Sequence, residues 1–329
     1  MKAAIFSDRK RIEKFLPLCR VPEGLILTYL GRECTDEEAV RSAQDAQFII
    51  ADAIKAVSAN LIAQMPQLKL IHSEGVAFDR IDTQFAAQRG VYVCNNKGAN
   101  AGAVAEQAIL LMLGLLRDVR NGDTQVRAGR QIQTKERMML EGVTELGDCR
   151  VGLIGFGDIA KETAKRLSAF GCPVFYYSRT SLPDDVHAQY HVSYLPLAQL
   201  LQTCDIVSLH LPVTPETTNI ADEEFLADMK DGALLINTAR GELVDQEALV
   251  AALISGKIGG AGLDTLSPEP VTTDNPLLHL PEDIRQRLLL SPHIGGTTTG
   301  AFRRMHQGMW DNIGRVMRGE RPKNIVNGL

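Results

Sequence analysis

Residues 151–160 read VGLIGFGDIA. Val151, Leu153 and Ile154 form an apolar run that ends in Gly155-Phe156-Gly157, and an amphipathic stretch with Lys161, Lys165 and Arg166 follows. That order predicts a buried parallel strand, a tight glycine turn and then a helix. Such a turn suits a dinucleotide. Gly155 permits the reversal, and Gly157 lets a pyrophosphate approach the backbone with no Cβ in the way. The unpaired N–H groups at the helix start then present partial positive charge to the phosphates. Ala160 occupies the third small position, where the helix must pack closely on the strand. Gly155, Phe156, Gly157, Asp158 and Ile159 are therefore the candidate phosphate-binding residues.

A chain of 329 residues with 45% hydrophobic content can bury a large core, and two domains are expected. The net charge of -5 and pI near 5.9 leave no basic footprint for nucleic acid. No apolar run approaches a membrane span. The opening MKAAIFSDRK lacks the apolar segment and cleavage site of a signal peptide, so a cytoplasmic protein is expected. Six cysteines lie scattered without a CxxC pair, which points to reduced, packed thiols and to no metal site.

In the first hundred residues KAAIF, AQFIIAD, LKLIHSE and VYVCNN read as strands. DEEAVRSAQ, SANLIAQM and DTQFAAQRG read as the helices between them, so a separate parallel α/β unit is expected. Gly75-Val76-Ala77-Phe78-Asp79 is a small-residue turn after a strand, where free backbone N–H groups could hold an anion or simply lead into a helix. Residues 100–120, NAGAVAEQAILLMLGLLRDVR, have almost no polar face and predict a buried helix between domains. Residues 121–148 are polar and weakly patterned and read as a short helix and a long loop. Beyond the glycine turn, strands at 174–178, 205–211, 232–238, 259–265 and 287–292 alternate with helices, the pattern of a doubly wound parallel sheet. A last helix over 298–319 carries Arg303, Arg304, Arg315 and Arg318, read as a solvated face.

Three polar residues stand where strands of the second sheet end. Arg240 follows LLINTA, Glu269 follows GLDTLSP, and His293 follows LLLSP and precedes Gly295-Gly296. In a doubly wound sheet those ends face one crevice, so the three side chains can converge. A second reading concerns the nucleotide. The position about twenty residues beyond the glycines, where an acidic residue binds the adenine ribose in NAD-specific units, falls on Ser178. Neither it nor its neighbours Tyr177 and Arg179 is a carboxylate. Ser178 and Thr180 can donate hydrogen bonds, and Arg179 can pair with a 2′-phosphate, so NADP is the expected cofactor and NAD remains possible.

The stretches NTARGELVDQEAL, GLDTLSPEP and LLSPHIGGTT resemble signatures of the D-isomer-specific 2-hydroxyacid dehydrogenases. So do GVAFDRID, GANAGAVAEQAILLML, VGLIGFGDIA, HLPVTPET and GERPKNIVN, in family order over nearly the whole chain. The resemblance implies two α/β domains: a flavodoxin-like lid (substrate) domain over 1–97 plus 297–329, and a Rossmann dinucleotide domain over 98–296. It also implies a homodimer. By the same resemblance Arg240 binds the substrate carboxylate and carbonyl, and His293 protonates the carbonyl oxygen as hydride reaches carbon. Glu269 orients that imidazole and favours its protonated form. Val76 and Ala77 offer backbone N–H groups to the carboxylate, and Asp264 contacts the nicotinamide side. His210, Pro212, Thr217, Thr238 and Ala239, with Gly295 and Gly296, fall on loops that line the cofactor.

The chain departs from the family pattern at Ala77, often Gly, at Lys97, often Pro, and in the loop before the glycine strand, which lacks a common tryptophan. All three departures concern the substrate rather than the cofactor. The expected reaction is reduction of a small 2-keto acid such as glyoxylate or hydroxypyruvate to its D-2-hydroxy acid. Two alternatives stay open: a dinucleotide-sensing corepressor, and a same-fold dehydrogenase of another donor such as phosphite. Formate oxidation is disfavoured, because formate enzymes of this fold pair the histidine with glutamine rather than with a residue such as Glu269.

Overall fold

The structure, a computed structural model, describes residues 1–52 and 54–329. The chain's own contacts divide it into two units, Met1–Asn100 with Thr297–Leu329, and Ala101–Gly296. In the first unit the strands are β1 (Lys2–Phe6), β2 (Ile26–Tyr29), β3 (Phe48–Ala51), β4 (Leu70–Ser73) and β5 (Tyr92–Cys94). The helices between them are α1 (Arg9–Phe15), α2 (Asp36–Ala43), α3 (Ala59–Ala63) and α4 (Thr83–Gln88). All pairings are parallel, in the order β2-β1-β3-β4-β5.

Alternation explains why the unit needs cover on both faces. Ala4 and Phe6 of β1 join Ile49 and Ala51 of β3 in one cluster, while Ala3, Ile5, Phe48 and Ile50 belong to another. A sheet buried on both sides reads as an unbroken apolar run, as KAAIF and FIIA do.

The second unit opens with α5 (Ala101–Leu116), α6 (Val119–Arg127) and α7 (Gln131–Glu141). Its strands are β6 (Val151–Ile154), β7 (Val174–Tyr177), β8 (Val192–Tyr194), β9 (Ile206–Leu209), β10 (Ala233–Asn237), β11 (Ile258–Leu263) and β12 (Leu288–Leu290). They alternate with α8 (Asp158–Phe170), α9 (Asp184–Tyr190), α10 (Leu197–Thr203), α11 (Glu223–Asp228), α12 (Gln246–Ser255) and α13 (Glu282–Arg285). The seven strands are parallel in the order β12-β11-β10-β9-β6-β7-β8. Strand order reverses beside β6, with β7 on one side and β9 on the other, which makes the end of β6 the switch point of a Rossmann sheet. The last helix, α14 (Thr299–Met317), returns to the first unit and lays Met309, Trp310 and Ile313 on its sheet. Burying the Trp310 indole alone contributes on the order of 4 kcal/mol at about 25 cal/mol per Å².

Several elements differ from the sequence expectation. The helix expected over 100–120 ends at Leu116, because Asp118 adopts a left-handed conformation (φ 47°) and starts α6 on a new axis. It packs on α8, β10 and β11 within its own unit. Residues 121–148, expected as a short helix and a long loop, hold most of α6 and all of α7. Their apolar residues Val126, Ile132, Met139 and Leu140 face outward, so no core stripe marked them. The strands β2 and β8 and the helices α1 and α9 also escaped the pattern. Each is short, and β2 and β8 are edge strands with incompletely buried residues.

Candidate active site

Because the second sheet is parallel, its strands deliver β6, β9, β10, β11 and β12 to one edge. At the end of β6, Gly155 has φ +89°, and a Cβ there would stand 2.6 Å from the His210 carbonyl oxygen. Only glycine suits both demands. A Cβ on Gly157 would meet nothing within 4 Å, so the space above the start of α8 is open. Asp158 is exposed and Ile159 half-buried there, while Phe156 and Ala160 are buried. Thr238, at the end of β10, is buried with its Oγ1 unpartnered. Open space over a helix start and an orphaned buried hydroxyl on the neighbouring loops fit a nucleotide.

The other expected cofactor residues are held by their own loops. Ser208 Oγ lies 3.0 Å from His210 Nε2, and burial pushes the imidazole down to about 4, so the ring is neutral near pH 7. Thr217 Oγ1 donates to Pro212 O at 2.7 Å and accepts from Thr214 N at 2.8 Å, which closes the 212–217 loop. After β7, Ser178 Oγ donates to Thr180 O at 2.7 Å, so that hydroxyl hydrogen is already used. Arg179 and Thr180 are exposed. Glu216, on the 212–217 loop, has its carboxyl lowered first by hydrogen bonding to Thr214 and to a lesser degree by the charge of Arg179.

Of the three residues expected to converge, the structure joins two. His293 Nδ1 lies 2.6 and 2.8 Å from the two oxygens of Glu269. A carboxylate can only accept, so Nδ1 carries the hydrogen and Nε2 is left for other chemistry. His293 sits in the left-handed region (φ 54°), a conformation that costs about 1 kcal/mol or more and persists only where its surroundings enforce it. Its N–H donates to Asp264 O at 2.8 Å and Ser291 O at 3.0 Å. The Asp264 carboxylate accepts from Ser291 Oγ at 2.5 Å, Ile294 N at 3.0 Å and Gly295 N at 2.8 Å. Gln107 Nε2, from α5, donates to Ser291 Oγ at 2.9 Å. Gly295 is needed because a Cβ would lie 2.9 Å from Asp264 Oδ2. Asp264 thus clamps the loop that aims His293, with Gly296 half-buried beside it.

Arg240 has extended backbone and an exposed side chain. Asn237 shapes its loop, accepting from Ala239 N at 3.0 Å and donating to Arg240 O at 2.7 Å. Arg240 Nη1 donates to Ala239 O at 2.7 Å, and its other guanidinium N–H groups meet no acceptor among the described residues.

In the first unit, the turn after β4 has its carbonyls tied and its amides free. Asn96 N donates to Gly75 O (2.9 Å), Asn95 Nδ2 to Val76 O (2.7 Å) and Ser73 Oγ to Ala77 O (2.5 Å). The N–H groups of Val76 and Ala77 donate to nothing among the described residues. Glu74, just before the turn, accepts from Ser7 Oγ (2.5 Å), Arg11 (2.5 and 2.8 Å) and His306 Nε2 (3.0 Å). Burial alone would raise its carboxyl, but those bonds outweigh it and hold it at about 2.

Gln107, Ser291, Asn237, Glu74, Asn95 and Asn96 were not singled out from the sequence. Gln107 carried a usable signal, as a polar residue in the apolar 101–116 run. The others did not.

With this geometry in place, residues 109–295 match the model of the D-isomer specific 2-hydroxyacid dehydrogenase NAD binding domain. The chain belongs to that family. A glyoxylate reductase of Korarchaeum cryptofilum is 33% identical over 329 residues, covering 99% of this chain and 96% of the relative. A hydroxypyruvate reductase of Thermotoga maritima is 34% identical over 308 residues, 90% and 95% of the two chains. Among solved structures, the D-lactate dehydrogenase with NAD+ from Lactobacillus jensenii superposes with a TM-score of 0.84 at 26% identity, over 99% of each chain. As a 2-hydroxyacid dehydrogenase the chain is an NAD(P)-dependent oxidoreductase, and the open turn at Gly157 and the unpartnered Thr238 hydroxyl lie on its nucleotide-binding unit. No helix of the described residues is long and apolar enough to cross a membrane.

Proposed function

We propose that this dehydrogenase reduces a small 2-oxo acid with NADPH, glyoxylate to glycolate or hydroxypyruvate to D-glycerate. The observation that carries the reading is the His293–Glu269 pair, held at 2.6 and 2.8 Å on a loop clamped by Asp264. Reduced nicotinamide, when bound, supplies the hydride to the carbonyl carbon. His293, protonated, gives its Nε2 proton to the carbonyl oxygen, and the Glu269 carboxylate stabilises the imidazolium before that transfer. The unengaged N–H groups of Arg240 make charge-assisted bonds to the substrate carboxylate and carbonyl. In the first unit, the free backbone N–H groups of Val76 and Ala77 suit a carboxylate. The first unit is thus the substrate domain and the second the dinucleotide domain.

NADPH is favoured because Arg179 is exposed at the ribose position and no carboxylate stands at 177–179. A homodimer through the second unit is favoured by the outward apolar residues of α6 and α7, where Met139 is 73% and Leu140 90% exposed. All six cysteines are unpaired, as a reducing cytoplasm would keep them.

The test compares kcat/KM for NADPH and NADH with both keto acids in wild type, His293→Ala and Arg179→Ala. His293→Ala should slow reduction at least about a hundredfold while nucleotide affinity holds. Arg179→Ala should erase a wild-type preference for NADPH. Unchanged turnover in the first variant removes the acid role. A wild-type preference for NADH, or equal losses with both nucleotides, removes the NADPH reading.

A further inference from the structure

Along the C-terminal part of α14, beside the loop before β2 and the tail after Arg321, the first unit holds a cavity of about 610 Å³. Four cations line it, Arg20, Arg315, Arg318 and Lys323, against one carboxylate among the described lining residues, Asp311. Arg315 and Arg318 lean on Glu320, outside the lining, at 3.5 and 2.8 Å. The side chains of Arg20 and Lys323 meet no acceptor among the described residues. Trp310 also lines the cavity; it is wholly buried and its Nε1 donor lacks an acceptor. A buried donor left unpaired costs about 1–3 kcal/mol. Two glycines inside α14, Gly308 and Gly314, belong to the same wall, and each costs a helix roughly 0.8–1 kcal/mol relative to alanine. A Cβ at 308 would stand 3.1 Å from Asn96 Oδ1. Arg315 Nε also donates to Arg321 O at 2.7 Å, so what the cavity leaves unanswered is the Arg20 and Lys323 side chains and the Trp310 N–H.

We propose that it binds a small dianion with clustered acceptor oxygens, a phosphate ester or a dicarboxylate, and that occupancy weakens keto-acid binding. The link is Asn95. It lines the cavity, and its Nδ2 holds Val76 O at 2.7 Å. An anion that draws on the same amide loosens the turn carrying the free N–H groups and adds like charge beside it, so KM rises while kcat and nucleotide affinity stay. The coupling rests on the proposed role of Val76 and Ala77; the binding does not.

Trp310 is the single tryptophan of the chain, so its emission reports on the cavity directly. Full-length wild type, Arg20→Ala and Lys323→Ala are titrated with inorganic phosphate, glycerol 3-phosphate and succinate, with chloride as the ionic-strength control. Emission and calorimetry are both read. Saturable binding should appear in wild type and weaken about tenfold or more in each variant, the loss of one charge-assisted contact. Which anion saturates separates the phosphate from the carboxylate source. No saturable signal by either method, or equal signals in all three proteins, overturns the site. The glyoxylate KM should rise with anion in wild type only. An unmoved KM, or a rise that persists in both variants and so reflects competition at the substrate site, overturns the coupling. Should wild type fail to turn over glyoxylate, the reaction assignment falls while the binding titration still decides the cavity.

Discussion

His72 lies in the middle of β4, wholly buried, and its surroundings settle its protonation state. Nδ1 faces the Ser73 carbonyl oxygen at 2.7 Å and Nε2 faces Asn312 Nδ2 at 3.0 Å. Asn312 cannot turn over freely, because its Oδ1 accepts from Lys323 N at 2.8 Å and its Nδ2 donates to Lys323 O at 3.0 Å. The ring must therefore donate from Nδ1 and accept at Nε2, which is the neutral form. Protonation would set two donors against each other in a dry core, and burial drives the imidazole from 6.5 down to about 4. The folded value lies below the unfolded one, so the stabilisation is complete above pH 6.5 and is lost as pH falls toward 4. A difference of about 2.5 pH units at 1.36 kcal/mol each is about 3 kcal/mol. Two measurements check this: NMR titration of the ring, and denaturant unfolding of wild type and His72→Gln between pH 7.5 and 4. The gap between the two proteins should shrink by about 3 kcal/mol across that window. A ring that titrates near 6.5 in folded protein, or a gap independent of pH, would refute the argument.

Three other outcomes follow from the active-site geometry. Arg240→Lys keeps the charge but loses the planar fork, so keto-acid KM should rise and kcat fall; near-wild-type kinetics would place the carboxylate elsewhere. Glu269→Gln removes the negative charge that His293 Nδ1 meets at 2.6 Å, so kcat for reduction should fall while nucleotide affinity holds, and an unchanged kcat would take Glu269 out of the mechanism. Gly155→Ala forces a side chain to φ +89° against the His210 carbonyl oxygen; it should destabilise the second unit by about 1–3 kcal/mol and weaken nucleotide binding, both readable by thermal shift with and without nucleotide. Wild-type melting and binding in that variant would contradict the described turn.

The sequence by itself determined the elements whose information is local. The run 151–160 spelled strand, turn and helix, because an apolar strand, two glycines and a helical amphipathic stretch are adjacent in the chain. The alternation of strands and helices, a buried helix read over 100–120 that runs Ala101–Leu116, and the positions of Arg240, Glu269 and His293 after strands were legible for the same reason. Only the tertiary structure decided what supports them. Gln107 reaches Ser291 across 184 residues, and His306 reaches Glu74 across 232; no periodicity encodes such partners. Asp264 read from the sequence only as a cofactor contact, and the fold adds that its carboxylate holds the His293 loop. Only a short helix was read where α6 and α7 lie, because a pattern search looks for a face turned to the core, and theirs is turned outward. Buried polar groups must find partners wherever the fold brings them, and that distance in the chain is what sequence patterns do not carry.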